Sequence, residues 1–280
     1  MDELRAALEL ATEEELQQLT AILFRRRFNP LDYLNTNDLI EIQCQEREAW
    51  LDVLEQRFRF LAADGITVLK GRTEEFTYRQ ALVKVCHYLK IPYSKQLTTT
   101  DIEAEIFLYL MGKAWKRLPA SEQKSLLAQV QHSLVKSKLP EPLPAQLQHN
   151  PMSLLVKGGS ALAISSVLKP ILMQQIARQF AFHFARYQVA REAVARGGVA
   201  AASQFNHYLT MQTARQAMAL NAARYSATRT IFAFVGPVLW GYFFADLGWR
   251  AISTNYSRII PTIFALAQIR LTRAECWEPV

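Results

Sequence analysis

Cysteine is scarce in this 280-residue chain: Cys44, Cys86 and Cys276 are too far apart, and odd in number, for a disulfide framework. Such usage suits a reducing compartment. No C-x-x-C occurs, and His87, His132, His149, His183 and His207 never fall four residues apart, so no metal-binding pattern is present. The neighbours Cys86 and His87 point about 100° apart on a helix, which predicts a core thiol beside a surface or capped imidazole. Nucleophilic signatures such as G-x-S-x-G are missing as well. Val156-Lys157-Gly158-Gly159-Ser160 lacks the spacing and the terminal G-K-[ST] of a phosphate loop and reads as a flexible helix start. The residues therefore predict no catalytic group, no metal and no cofactor.

Long apolar runs are lacking too. A spanning helix needs about 20 apolar residues. The longest charge-free run, Gly197 to Ala214, carries Ser203, Gln204, Asn206, His207 and Gln212 and is too polar to span. The amino terminus, MDELRAALELATEEEL, has neither the basic start nor the apolar core of a signal peptide, so a cytoplasmic protein is expected. Only 10 glycines are present, and turn-rich alternation is rare, which favours helices.

Half of the residues are apolar and a fifth charged, the balance of a globular chain. The charge is unevenly divided. Residues 151–280 carry 11 Arg and 2 Lys against four acids, a balance of +9, while residues 1–150 carry 19 bases and 21 acids, a balance of −2. Arginine heads are weakly hydrated and bind phosphate-rich surfaces well. Arg178, Arg186, Arg191, Arg196, Arg215, Arg224 and Arg229 are accordingly the expected contacts to an anionic surface, against the plainer alternative of stems covering a helical core while the heads stay wet.

Taken in order, residues 1–28 read as a helix or helical pair, with a capping box from Thr12 to Glu15 ahead of Leu16, Leu19 and Leu23. A long helix is expected from Leu39 to Ala63, then a short strand or extended connector at Ile66–Leu69. Tyr78, Leu82, Val85 and Leu89 repeat at helical spacing. Thr100 and Glu103 suggest a second capping box, opening a helix through Ile106, Leu110 and Trp115, and Ser121 is the expected cap of a further helix to about Ser137. Four prolines in Leu139–Pro151 predict an extended linker between an acidic helical domain, 1–138, and a basic, apolar one, 152–280. In the latter an amphipathic helix places Ile176, Phe180, Phe184 and Tyr187 on one face, and IIPTIFALAQIRLTR gives a last apolar helix with Arg270 and Arg273 at its basic end. The fold class is all-α: two helical regions joined by a proline-rich linker.

One stretch stands out, Arg229 to Pro261. Sixteen residues without a formal charge separate Arg229 from Asp246, and Gly236-Pro237 interrupts them. Asp246 is the sole acid between Ala193 and Arg270, with Arg250 at i+4. If buried, its carboxylate must be paired or protonated. Pairing with Arg250 or Arg258 is the structural reading, and a proton-handling role the sharper one. Phe232, Phe234, Trp240, Tyr242, Phe243, Phe244 and Trp249 are the expected contacts to a membrane or a partner. Gly236-Pro237 is either a helix kink or the turn of an apolar hairpin dipping into a bilayer.

Two stretches together resemble the YaaW-like family of uncharacterised bacterial proteins. They are Tyr78-Arg79-Gln80-Ala81-Leu82-Val83-Lys84-Val85-Cys86 with Leu89-Lys90-Ile91-Pro92-Tyr93, and Gly236-Pro237 with Trp240, Asp246, Tyr256-Ser257-Arg258, Pro261 and Leu271. Ser257 separates Tyr256 from Arg258 where the family pattern leads one to expect a Tyr-Arg pair. The family's association with ubiquinol–cytochrome c chaperones implies a non-catalytic factor that helps a membrane complex assemble. The expected function is thus a membrane-associated helical interaction or chaperone-like assembly factor, partnered by anionic lipid or a membrane protein. A soluble ligand-binding protein or enzyme with Asp246 in a buried pocket is the second reading, nucleic-acid binding ranks last, and homo-oligomers are compatible with each.

Overall fold

The computed structural model describes residues 2–24, 39–64, 67–68, 70–137, 139, 142–157, 164, 168–180 and 255–273. Among them every regular element is helical and no strand occurs, so the chain is all-α there. Residues 67–68, expected as strand or connector, are helical.

The amino-terminal stretch is a helical pair, α1 (Glu3–Glu9) and α2 (Glu13–Phe24). Thr12 and Glu15 form the expected reciprocal box, each backbone N–H donating to the other's side chain at 2.7 and 3.3 Å. Leu16, Leu19 and Leu23 are buried on one face of α2. The helix expected over 39–63 is instead two, α3 (Leu39–Gln43) and α4 (Arg47–Ala62), broken at Cys44-Gln45-Glu46. The apolar spacing of the two segments is similar, so periodicity alone does not show the break.

Helix α5 (Tyr78–Leu89) begins on a capping box between Thr77 and Gln80 and ends at Lys90, whose φ of 58° puts it in the left-handed region. Helix α6 (Thr99–Arg117) is the centre of the assembly: 11 of its 19 residues are buried, and they surround the helix instead of forming one stripe. Its cap is Thr98, which accepts from the Asp101 N–H at 3.1 Å, and not Thr100. The correction matters, because it frees Glu103 from the cap. Helix α7 (Ala120–Lys136) starts from Pro119, with Ser121 exposed inside it and making no cap.

The proline-rich stretch is not simply extended. It holds a short helix, α8 (Ala145–His149), with Leu147 buried, and leads through buried Met152 into α9 (Ser153–Lys157). Proline at the start of a helix loses no hydrogen bond, which explains Pro144 at the cap of α8. Gly112 of α6 lets α9 approach closely: a Cβ built there would lie 2.3 Å from the Leu155 carbonyl oxygen.

Two helices from the basic half complete the described residues, α10 (168–180) and α11 (Tyr256–Arg273). In α10 Ile176 and Phe180 are buried as expected, while Phe184 and Tyr187 lie outside the described residues. Helix α11 packs against α1, α2, α4, α5 and α6. Its Ile259, Ile260, Ile263 and Phe264 are all nearly inaccessible, and Phe264 stacks on Phe107 of α6 at 4.7 Å between centroids. Each such side chain contributes roughly 1.5–3 kcal/mol of burial. Acidic and basic halves of the sequence thus share one apolar core, which runs from Leu4 to Ile269.

Candidate functional site

Among the described residues the two buried carboxylates, Glu103 and Glu105, both lie on α6. Glu103 stands among Ile102, Ile106 and Phe107, and only 3% of it is exposed. The Tyr78 hydroxyl, at the first turn of α5, donates to Glu103 Oε2 at 2.7 Å. Arg270 of α11 approaches from the other side, its Nε 3.3 Å from Glu103 Oε1. The same guanidinium donates to the Glu3 carbonyl, and the Glu3 carboxylate accepts from Thr99 Oγ1 at 2.8 Å. One buried carboxylate therefore joins α5, α6 and α11, and Arg270 and Thr99 tie α1 to the same point.

Burial pushes the Glu103 carboxyl above its ordinary range, an effect that Arg270 and the Tyr78 hydroxyl oppose without cancelling. Burial and the neighbouring carboxylate raise Tyr78 well above the usual phenol value. Glu3, by contrast, is held low by a backbone hydrogen bond at the start of α1, by Thr99 and by Arg270.

A second contact lies two residues further along α6. Glu105 is 4% exposed, and Lys169 of α10 sits 3.6 Å from its Oε1 and 3.1 Å from Asp101 Oδ1. Residues two apart on a helix point about 200° apart, so Glu103 and Glu105 face opposite sides of α6. The central helix thus carries one buried carboxylate toward each of the last two described helices: Glu103 toward α11, Glu105 toward α10. Asp101, its outer partner, is held low by Thr98 and Lys169 against the effect of burial.

This arrangement grips helices. A depression of about 560 Å³ among Asp64, Lys70, Arg72, Arg79 and Lys84 shares no residue with it. There Arg72 pairs with Glu75, Lys84 with Asp64, and Arg79 donates to the Leu97 and Lys95 carbonyls. Cys86 is in the core, its thiol pushed up to about 12 by burial, and exposed His87 meets the Tyr93 hydroxyl at 3.2 Å. Among the described residues no group of three metal-ligating side chains occurs, and no helix is long and apolar enough to cross a membrane.

Of the residues singled out from sequence, two are described. Arg258 is 2% exposed, the largest fully buried side chain among the described residues, and Arg178 is half-buried on α10. Asp246 and Arg250 lie outside the described residues, as do Phe232, Phe234, Trp240, Tyr242, Phe243, Phe244 and Trp249. So do Arg186, Arg191, Arg196, Arg215, Arg224 and Arg229. Arg270, expected at the basic end of the last helix, lies there half-buried against Glu103. Glu103 itself was legible as an acid within an apolar stripe, at spacing 99, 102, 103, 106 and 107; reading it as a cap residue concealed that.

Compared with protein-family models, curated proteins and solved structures, the chain matches none of them.

Proposed function

We propose that this chain is a non-catalytic helical interaction factor, chaperone-like in its assembly role, that works at the cytoplasmic face of a membrane and presents residues 181–254 to anionic lipid. The observation that carries the reading is the pair of buried contacts on α6. Lys169 at one end and Arg270 at the other fix the helices that bracket this segment. In sequence the segment holds seven Arg, no Lys, two acids and 13 of the chain's 30 aromatic residues. Clustered arginines gain about 1 kcal/mol each near an anionic leaflet, and aromatic rings suit the interface. The bundle acts in this reading as the scaffold, and the apolar, arginine-rich part of the basic half acts as the contact surface. The chaperone association carried by the YaaW-like resemblance agrees with it.

Sedimentation of the full chain with vesicles tests the proposal. Binding to vesicles containing phosphatidylserine is expected at low salt, weakening as salt rises, with little binding to phosphatidylcholine alone. A chain that stays in the supernatant with both vesicle types at low salt overturns it.

A further inference from the structure

We infer that Tyr88 and Tyr256 form an oxidative cross-linking site, at which a one-electron oxidant joins α5 to α11 through a dityrosine bond. Three observations carry this. The first is proximity. The two rings stack with centroids 4.2 Å apart and planes inclined by 16°, although they come from widely separated parts of the chain. Among the described residues no other pair of tyrosine rings is in contact. Two radicals held in this way react within one molecule and need not meet by diffusion. The second is access. Tyr88 is 38% exposed and Tyr256 half-buried, whereas Tyr78 is closed in the core. The third is the state of the hydroxyls. Among the described residues neither hydroxyl of the pair has a hydrogen-bond partner, while those of Tyr78 and Tyr93 are taken up by Glu103 and His87. Each phenol of the pair can therefore give its proton to water as its electron leaves.

The oxidant is a peroxide acting through a peroxidase-type haem, or a photo-oxidised metal complex. It takes one electron from each ring, and each hydroxyl loses its proton. Spin in the resulting phenoxyl radicals lies partly on the carbons ortho to oxygen. One such carbon on each ring enters the new C–C bond, and the hydrogen it carried passes through water to the ring oxygen, which restores both phenols. The net loss is two electrons and two protons, which one molecule of hydrogen peroxide accepts to become two of water. The new bond lies in both ring planes, so the rings slide from face contact to edge contact, and the exposed side of Tyr88 leaves room for that. Thiols do not cleave a C–C bond, so the link holds α11 on α5 in a reducing compartment, where a disulfide is lost. The inference is independent of the membrane reading.

Brief illumination of the dilute full-length chain with tris(bipyridine)ruthenium(II) and persulfate, followed by trypsin and mass spectrometry, tests it. Peptides 85–90 and 251–258 are expected as one joined species, lighter than their sum by two hydrogen atoms, from a product that still runs as a single chain. Tyr88→Phe and Tyr256→Phe keep an aromatic ring in the stack, and each should abolish the joined species while the helical circular dichroism stays unchanged. Oxidation in concentrated urea should abolish it too, because the pair is brought together by the fold. Tyr88 joined chiefly to other tyrosines, or only to a second molecule, overturns the inference. So does a joined species that is as abundant in urea as in buffer, or a product whose tyrosines are hydroxylated but not joined.

Discussion

Arg270 Nε lies 3.3 Å from Glu103 Oε1, and the Tyr78 hydroxyl holds the other oxygen of that carboxylate at 2.7 Å. Three helices meet on one buried acid. Removing one partner of such a group costs more than the intact contact contributes, because the remaining charge stays desolvated.

Arg270→Ala is therefore expected to destabilise the chain by about 3 kcal/mol in urea denaturation at neutral pH. The sign of its pH dependence follows from the carboxyl that remains. The folded-state pKa of Glu103 is raised above the unfolded value, so its contribution is fully present below the unfolded pKa and is lost as pH rises through the folded one. Without Arg270 that pKa rises further. The deficit of the variant should shrink as pH falls toward 4, and a deficit independent of pH would show that Glu103 is not the group involved.

Tyr78→Phe deletes one oxygen from a fully packed position and leaves Glu103 Oε2 without its buried donor. A loss of about 1–3 kcal/mol is expected, measured by thermal or urea unfolding. Glu103→Gln retains an acceptor for the phenol and removes the buried charge, so it should cost less than Arg270→Ala. The reverse order would mean that the charge itself stabilises the fold.

Gly112→Ala tests the close approach of α6 and α9. Alanine is the better helix former, by about 1 kcal/mol. Here its Cβ would meet a backbone oxygen, the Leu155 carbonyl, at 2.3 Å, and that oxygen can retreat only if α9 moves. A net loss of about 1–3 kcal/mol is expected from differential scanning calorimetry.

Thiol alkylation followed by peptide mapping should label Cys44, which is exposed, and leave Cys86 unmodified until the chain unfolds. Burial raises the Cys86 thiol to about 12, and the thiolate is the reacting form.

Asp64 is held at about 2, chiefly by the backbone N–H of Thr67 and then by its hydroxyl. Its folded pKa lies below the ordinary aspartate value, so its contribution is present above about pH 4 and is lost as pH falls toward 2. An NMR titration should place this carboxyl near 2 and show it moving toward the ordinary value in Thr67→Val.

Local signals in the sequence carried much of the helical layout, because caps and apolar spacing act within a few residues. The Thr12–Glu15 box, the buried stripe of α2 and the end of α11 at Arg273 all follow from neighbours in sequence, while α11 begins three residues earlier than expected, at Tyr256. Errors arose where two local readings compete. Thr98 and Thr100 both precede an acid three residues on, and the cap forms at Thr98, which places Glu103 inside the core. Local spacing does not mark the break at Cys44–Glu46, and the helix in the proline-rich stretch goes with the burial of its own Leu147 in the shared core. The contacts of Glu103 and Glu105 with Arg270 and Lys169 are tertiary by nature: the charge contrast between the halves was visible in composition, but the residues that realise it were not.

The place of α11 also bears on how the chain is made. During synthesis the acidic helices leave the ribosome first, and the helix that covers α1, α2, α4, α5 and α6 follows only after more than 250 residues have been joined. At about 5–20 residues per second, their shared groove stays open for some seconds while the intervening stretch is translated. A nascent chain in that state exposes Ile102, Ile106 and Phe107 to its surroundings, and contacts so distant in sequence close slowly.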